Sequence, residues 1–537
     1  MVPPESAVAG DQVAVTQAAG LISLGNVASR VLGLLREMVK SGLFGAGPSV
    51  SALNAAIRVP TAMYDLLVGG MISSALIPVF SDYASGEHRA ELWHLIGLLT
   101  GGLTLTIGGF LLLGEIFAPQ LVWLMAGGLD PASQRLATEL LRMVLPALFF
   151  LNLAGILSAT LYALQRFVFP AFTVAIFNAS LVITALLLGP WWGVRSMALG
   201  LVVGSVLQVV LQLPGLRDAR IRPTLNLRHP ALRRIGQLYL PVLIGLVVDN
   251  LLSVMLSYHL ASHLGGSAIA WMEYAAQIIQ FPLGMVVAAV SLAILPTLSR
   301  QATDPDPLPF RATLAQGLRL VLFLILPATA CLLVLSIPVV ALIFEHGGFT
   351  RADTLAVAEA LRCHLPGLLF AAIDQVLIFA FYARKDTWTP ALVGIGMNVL
   401  YALSAIALAA AGLLTLPRLV LLNSGKWTAH ALTMLYLTRR QLGGLGPFGV
   451  WGLLLRVTIA SLVLGVAAWG TAHPLEAWVE PGLWGELALV GGAGGAGVAV
   501  YVLLCLTLRV EEIHLLQAAL SDALRRQRVP PGHKATG

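Results

Sequence analysis

Apolar runs of twenty or more residues follow one another along almost the whole chain, separated by short stretches that carry most of the charge. A helix needs about 20 apolar residues to cross hydrocarbon, where no water is present to satisfy free backbone groups. The pattern predicts fourteen such spans, over residues 15–43, 51–81, 92–117, 140–163, 169–189, 194–214, 236–262, 268–298, 315–344, 354–383, 388–413, 418–438, 450–470 and 483–507. The expected fold class is an all-α polytopic membrane protein.

The spans are written twice. Leu145, Pro146, Leu148, Phe150, Tyr162, Ala163, Pro170, Ala171 and Asn178 recur 220 residues later as Leu365, Pro366, Leu368, Phe370, Tyr382, Ala383, Pro390, Ala391 and Asn398. Chance does not hold one offset over nine positions. At an offset of 218, Ala75, Pro78 and Ser81 return as Ala293, Pro296 and Ser299, and Gly47 returns as Gly265. These offsets carry the second span onto the eighth and the fifth onto the eleventh, so each copy holds six helices. Six is even, and the copies are therefore parallel. The expected organisation is a lead over 1–14, an N-lobe over 15–214, a basic link over 215–235, a C-lobe over 236–438, two extra helices over 450–507 and a tail over 511–537. Duplicated multi-helix halves are a sign of secondary transporters, whose site lies between halves that rock against each other.

Composition excludes a soluble domain. The chain is 58% hydrophobic and only 11% charged, with mean hydropathy +0.86, where a soluble domain carries about 25% charge. The net charge of +6 is no sign of nucleic acid, because the Lys and Arg lie between the spans. With the N-terminus inside, 21 of them fall on the cytoplasmic side, six between Arg217 and Arg234, against Arg135, Arg195, Arg351 and Arg418 outside. Both termini are thus expected in the cytoplasm, with the acidic loop of Glu476, Glu480 and Glu486 outside. No Lys or Arg precedes Arg30, so the opening lacks the positive region of a signal peptide. Glu511 to Arg528 predicts a short amphipathic surface helix, stopped by Pro530, Pro531 and Gly532. Cys331, Cys363 and Cys505 each fall inside a span without disulfide or metal-ligand spacing and are expected to pack inertly.

Ionisable groups inside the bilayer cost several kcal/mol unless paired or hydrated, so they mark function. The first span holds Arg30, Arg36, Glu37 and Lys40, and the second holds Arg58 and Asp65. Four bases against two acids leave an excess of two positive charges. Arg30, Gly33, Glu37 and Lys40 share a side at helical spacing, so Glu37 is placed to neutralise part of the charge. The rest faces a water-filled cavity. The bland alternative has Lys40 snorkelling to the outer interface and Arg30 paired with Glu37. Guanidinium matches phosphate oxygens two-pronged, so Arg30, Arg36 and Arg58 suit a pyrophosphate or phosphate headgroup, with Glu37, Lys40, Asp65 and Gln277 in support. Asp249, Asp374 and Asn398 are candidates for ion coupling, although pairing between helices is the first expectation for Asp249, Asp374, Arg362 and Lys426. His259, His263, His364 and His430 lack metal-ligand spacing and are expected to be hydrogen-bonded core or interface residues. The Ser424-Gly425-Lys426 stretch lacks the earlier Gly of a phosphate loop and has Trp427 where Ser or Thr is needed. No catalytic arrangement is visible, and no cofactor or metal is expected.

These residues resemble a known family. SRVLGLLRE followed by LFGAG, IRVP and ALIPVFSDY is similar to the opening of the MurJ (MviN) lipid II flippases of the MOP exporter superfamily. ALQRFVFPAF with Asn178, AILPTLSR, and FEHGGFTRADT followed by FYARKDTWTP agree, so the resemblance covers spans one to twelve. It implies two lobes around a central cavity, a groove for a polyprenyl tail at the last two spans, and outward movement of a pyrophosphate-linked sugar-peptide precursor in a bacterial inner membrane. The implied partners are that lipid-linked glycan, membrane lipids and cell-wall synthesis proteins, and the implied drive is a monovalent cation or the membrane potential. Arg30 and Arg36 sit at the family's functional arginines, Glu37 replaces an Asp, and Arg58 takes the basic position of a KLP element. The chain departs where an Arg pair is usual, having Tyr64 and Asp65, where Glu-Gly becomes Gly69-Gly70, and where Gln277 replaces an Arg. A flippase for another lipid-linked oligosaccharide, or a drug or cation exporter of the same superfamily, are the alternatives; an exporter of cations needs a negative cavity.

Overall fold

The structure, a computed structural model, describes residues 5–84, 88–224, 229–445, 448–479 and 482–513. Every element of secondary structure among them is helical. Helices fall on all fourteen expected spans. Ten are long and apolar enough to cross a membrane, and eleven if the bent pair Pro131–Val144 and Ala147–Ala163 counts as one. The other three expected spans coincide with Glu5–Phe44, Ala268–Gln301 and Leu416–Leu442, which at 40, 34 and 27 residues are long enough to cross. Length and apolarity among the described residues support ten spans, or eleven with the bent pair, of the fourteen expected. The first helix starts at Glu5, so residues 5–14 of the expected lead are helical. Ala-rich sequence with no proline between Pro4 and Pro48 gives the helix nothing to stop it. The expected amphipathic tail lies outside the described residues beyond 513.

The duplication is visible in the backbone. Both copies break the third span, between Arg89–Ile116 and Ala118–Ala126 and again between Pro307–Val334 and Ser336–Phe344. Pro119 and Pro338 stand just past the breaks, where a missing N–H and a ring clash forbid a continuous helix. Gln165 and Lys385, 220 residues apart, both take positive φ, at 59° and 62°. Each ends its helix in the same cap: Arg166 N–H donates to Leu161 C=O at 2.8 Å and Asp386 N–H to Phe381 C=O at 3.0 Å. The copies differ at the repeated proline. Pro146 stands at a 42° bend, whereas Pro366 lies inside the unbroken Arg351–Ala383 helix.

Packing divides the chain into two units. The first runs to Ala275 and adds Ile343–Ala360 and Ala391–Leu422; the second comprises Ala276–Leu342, Leu361–Pro390 and the chain from Asn423. These units cut across the expected lobe borders at 214 and 236. In the first unit the Pro48–Asp82 span carries two π-helical stretches, Asp65–Gly69 and Ile72–Leu76. A π turn leaves backbone carbonyls without helical donors. Tyr239 of the Pro230–Ser262 span supplies one, its hydroxyl donating to Leu66 C=O at 2.6 Å. Gly70 allows this approach, because a Cβ there would meet the Leu246 side chain at 2.5 Å. Val68, Leu76, Phe80, Leu92, Ile96, Ile156, Ile235 and Tyr239 close the core around this junction.

Part of the basic link also packs. Thr224 N–H donates to Gly97 C=O at 3.1 Å, and Gly97 and Gly101 have no side chains to hold the Arg222 and Thr224 backbone away. Where the link begins, Arg166 grips Asp218 at 2.5 and 2.9 Å. That hydrogen bond holds the Asp218 carboxyl below its ordinary range, with help from Arg89. A depressed carboxyl stabilises above its unfolded pKa, so this tie is present at neutral pH and is lost only as acid titrates it. Being largely exposed, it contributes little.

In the second unit the two C-terminal helices, Val450–Glu476 and Leu483–Thr507, pack on Pro307–Val334. Phe323, Leu453, Val457, Leu464, Tyr501 and Cys505 form the contact, and Tyr501 donates to Phe323 C=O at 2.7 Å. Arg319 binds Glu512 and Glu511 at 2.5 and 2.9 Å and fixes the end of the last span. Outward-facing Leu455, Leu462, Val466 and Leu503 are more than 60% exposed, as suits a lipid-facing surface. Cys331, Cys363 and Cys505 form no disulfide among the described residues and lie within the helices, in line with their apolar surroundings in the sequence.

Candidate functional site

The charges of the first span pair in part as their spacing suggests, Lys40 with Glu37 but not Arg30. Glu37 is taken by Arg36 and Lys40. Arg36 Nη2 and Nε donate to Glu37 Oε1 at 2.7 and 3.0 Å, and Lys40 Nζ pairs with Glu37 Oε2. Arg30 is not its partner. Lys40 does not snorkel; it is 6% exposed, bonds Asn54 Oδ1 at 3.4 Å and lies 4.7 Å from the centre of the Tyr274 ring. A buried ammonium is held here by a carboxylate, an amide oxygen and an aromatic face, which together replace the water it has lost.

Asn178 ties this cluster to the fifth span. Its Oδ1 accepts from Arg36 Nη1 at 2.9 Å, and its Nδ2 donates to Ser29 C=O at 3.2 Å. Arg36 therefore uses three of its five N–H groups on described residues. Arg30 and Arg58 are half-buried and make no ion pair or side-chain hydrogen bond to any described residue. The Arg58 Nε is buried without a partner. Asp65 feels the Arg58 charge but does not reach it as an ion pair. Tyr258, whose hydroxyl donates to Glu273 Oε1 at 2.5 Å, lies within the fields of both Arg58 and Glu37. The first unit thus gathers Arg36, Glu37, Lys40 and Arg58 into one polar region, in which Arg58 makes no ion pair with a described residue.

Sequence reasoning missed several members of this region. Asn178 was visible as a repeat marker and beside a family-like stretch but not as a site residue, and Asn54, Tyr258, Glu273 and Tyr274 gave no motif. Glu273 did carry a signal, as the one acidic residue of the Ala268–Gln301 helix. Tyr64 occupies a position where the family has an Arg, and it packs instead on Gly155 and Gly69. Gln277 is half-buried on the same helix as Glu273 but belongs to the second unit.

The ion-coupling candidates do not form one set. Asp249 opens the π-helical stretch Asp249–Met255, and Asn398, 6% exposed, has an Oδ1 without a hydrogen bond; both lie in the first unit. Asp374 belongs to the second unit. Its carboxylate is taken by His430 at 2.8 Å, so pairing between helices, expected first, is what the structure has. His430 is the hydrogen-bonded core residue anticipated, and His259 bonds Leu124 C=O at 3.1 Å.

The end of the first helix is clasped by the EHGGF loop. Gly348 N–H donates to Gly42 C=O at 2.8 Å, and Tyr274 donates to Gly45 C=O at 2.9 Å. Gly45 and Gly347, at φ 69° and 58°, each lie so close to the opposing backbone that a Cβ would collide with it. Beside this clasp the turns at Gly47 and Gly265 are neighbours, with Pro48 against Gly266 and Ser51 Oγ accepting from Ala270 N–H at 3.2 Å.

An all-helical bundle of membrane-spanning length, duplicated in sequence and carrying half-buried arginines in its first two spans, defines a polytopic transporter fold. That fold is shared with solved structures. A "Lipid II flippase MurJ, inward closed conformation" superposes with TM-score 0.76 at 23% identity, over 91% of this chain and 99% of that one. A multidrug resistance MATE family transporter of the MOP superfamily, in an inward-facing conformation, reaches TM-score 0.65 at 14% identity, over 78% and 96%. In sequence, the family model of the lipid II flippase MurJ matches residues 40–483. The "Probable lipid II flippase MurJ" of Vibrio cholerae is 29% identical over 518 residues, covering 92% of this chain and 96% of the relative. The "Lipid II flippase MurJ" of Burkholderia cenocepacia is 29% identical over 386 residues, covering 70% and 75%. The chain belongs to the lipid II flippase MurJ family.

Proposed function

We propose that this chain moves lipid II, a polyprenyl-diphosphate-linked cell-wall precursor, from the inner to the outer leaflet of a bacterial cytoplasmic membrane by alternating access. It belongs to a family of transporters and is not an enzyme. The observation that carries the headgroup assignment is that Arg30 and Arg58 are half-buried in spans and make no ion pair with any described residue. Uncommitted guanidinium groups in low dielectric await an anion, and diphosphate offers the matching oxygens. Arg36 adds the N–H groups it does not use on described residues, while Glu37 and Lys40 hold it in place. A flippase for another lipid-linked glycan is the second reading, favoured by Tyr64 and Gln277 standing where the family has arginines.

The physical task is to carry sugars and phosphates across hydrocarbon without exposing them to it. A cavity in the protein takes the polar head, and the Val450–Glu476 and Leu483–Thr507 helices line the path of the tail. A monovalent cation or the membrane potential supplies the drive, with Asp249 and Asn398 as candidate ligands. Cell-wall synthesis proteins are the proposed partners beyond the substrate and membrane lipids.

Both termini and the Arg217 to Arg234 link are assigned to the cytoplasm. A membrane-impermeant maleimide added to whole cells is expected to label a Cys placed at Trp478 and to spare one at Pro223. The reverse pattern would invert the orientation.

The neighbouring turns at Gly47 and Gly265 form the proposed outer gate. Crosslinking cysteines placed at the two positions is expected to stop flipping of a labelled polyprenyl-diphosphate lipid, and reduction to restore it. Undiminished flipping after complete crosslinking would rule out a gate at this pair.

A further inference from the structure

Asp374 and His430 sit deep in the second unit, 1% and 8% exposed. His430 Nδ1 stands 2.8 Å from Asp374. The other ring nitrogen, Nε2, faces Pro390 C=O at 3.4 Å. A carbonyl can only accept, so Nε2 carries a hydrogen in this arrangement. Between Nδ1 and the carboxyl there must then be a second proton, because a bare carboxylate against a bare nitrogen lone pair would be repulsive. Whether drawn as carboxylate with imidazolium or as carboxylic acid with imidazole, the couple is neutral and holds one removable proton.

The duplicated half shows what the fold itself requires here. Asp374 corresponds to Ala154 at the offset of 220, and His430 to Gln212 at the offset of 218. Gln212 makes the equivalent tie between helices with its amide, Nε2 donating to Ala154 C=O at 3.2 Å while Oε1 accepts from Ser158 at 3.0 Å. A polar tie at this point is therefore architectural, and an amide suffices for it. The second copy makes the tie from two groups that titrate.

Other titratable groups near the couple leave it self-contained. Tyr382, on the helix of Asp374, feels its charge. Lys426, one turn before His430, has its ammonium 4.9 Å from the Trp427 ring centre. Asp386, in the turn ahead of Pro390, caps Thr389 at 2.9 and 2.6 Å. Among the described residues Asp374 makes its ion pair with His430 and with no other base.

We infer that the Asp374–His430 couple is a proton-binding site whose loading and release bias the position of the Arg351–Ala383 helix against the Leu416–Leu442 helix. Loaded, the couple is neutral and ties the helices. Release sends the proton to water and leaves one negative charge in a buried site, which favours separation of the two helices until the carboxylate is hydrated. A pH gradient across the membrane would then contribute to the drive for transport. The coupling to transport rests on the flippase reading; the proton site does not.

The test combines Asp374→Asn with His430→Gln, which preserves an amide tie of the kind made by Gln212. Between weakly acidic and mildly alkaline pH, purified wild type in unbuffered detergent solution should release one proton more than the double variant, read with an indicator dye. In proteoliposomes, wild-type flipping of a labelled polyprenyl-diphosphate lipid should change with an imposed pH gradient, and the folded variant should lose that dependence. Equal proton counts would overturn the site. A full difference in proton count with flipping indifferent to the gradient would overturn the coupling alone. Absence of any wild-type flipping would count against the flippase reading, and the titration would still decide the proton site.

Discussion

Replacing Arg30 or Arg58 by alanine is expected to abolish transport while the protein still folds and inserts. Neither side chain makes an ion pair or hydrogen bond to a described residue, so the packed helices lose no partner. What is lost is a charge-assisted contact to the headgroup, worth about 3 kcal/mol, or about a hundredfold in affinity. For Arg58 the change also removes a buried Nε that has no partner, so stability should hold or rise slightly. Complementation of flippase-depleted cells, alongside the level of membrane-inserted protein, reads both halves of the expectation. Lysine at either position should recover only part of the activity, because a point charge cannot make the two-pronged contact to phosphate. Normal growth supported by the double alanine variant would remove the anion site from the account.

Glu37 is expected to behave in the opposite way, through the fold rather than the ligand. It lies between Arg36 and Lys40 and is 5% exposed. Glu37→Gln keeps its shape but strands a buried ammonium and a half-buried guanidinium. Breaking such a pair from one side costs about 3 to 5 kcal/mol, a large share of the roughly 5 to 15 kcal/mol that holds a typical domain together. The variant should therefore melt several degrees lower in detergent and accumulate poorly in the membrane. Glu37→Asp keeps the charge and should fall between. A melting temperature unchanged in Glu37→Gln would mean that the cluster is hydrated rather than sealed.

The sequence carried the helices because a span must be apolar along its whole length, and that constraint is local. It carried the duplication for the same reason that the backbone repeats it: Pro119 with Pro338 and Gln165 with Lys385 are consequences of local geometry. The partners were less legible. Spacing placed Arg30, Glu37 and Lys40 on one side, and Lys40 did take the carboxylate, yet the adjacent Arg36 took the place of Arg30, because its side chain could bend to Glu37 and Asn178 held it there. Asn54, Glu273 and Tyr274 complete the surroundings from other helices, and such long-range neighbours leave no periodic trace. Gly69 and Gly70 read in sequence as a missing Glu-Gly. In the structure Gly70 is the point where Leu246 closes on the second span. Packing units were the least legible feature, since the seventh span has the composition of any other span and joins the first six through Tyr239 and Ile235.

The central claim is that half-buried arginines of the first two spans carry a lipid-linked diphosphate across the membrane. Its most direct test is flipping by purified protein in vesicles, with a fluorescent polyprenyl-diphosphate glycan in both leaflets and a membrane-impermeant quencher outside. The account predicts that wild type equilibrates the lipid between leaflets, that Arg30→Ala with Arg58→Ala does so no faster than protein-free vesicles, and that a neutral polyprenyl glycan without diphosphate is not moved by either. Equal flipping by wild type and the double variant, or movement of the neutral lipid at the wild-type rate, would contradict it.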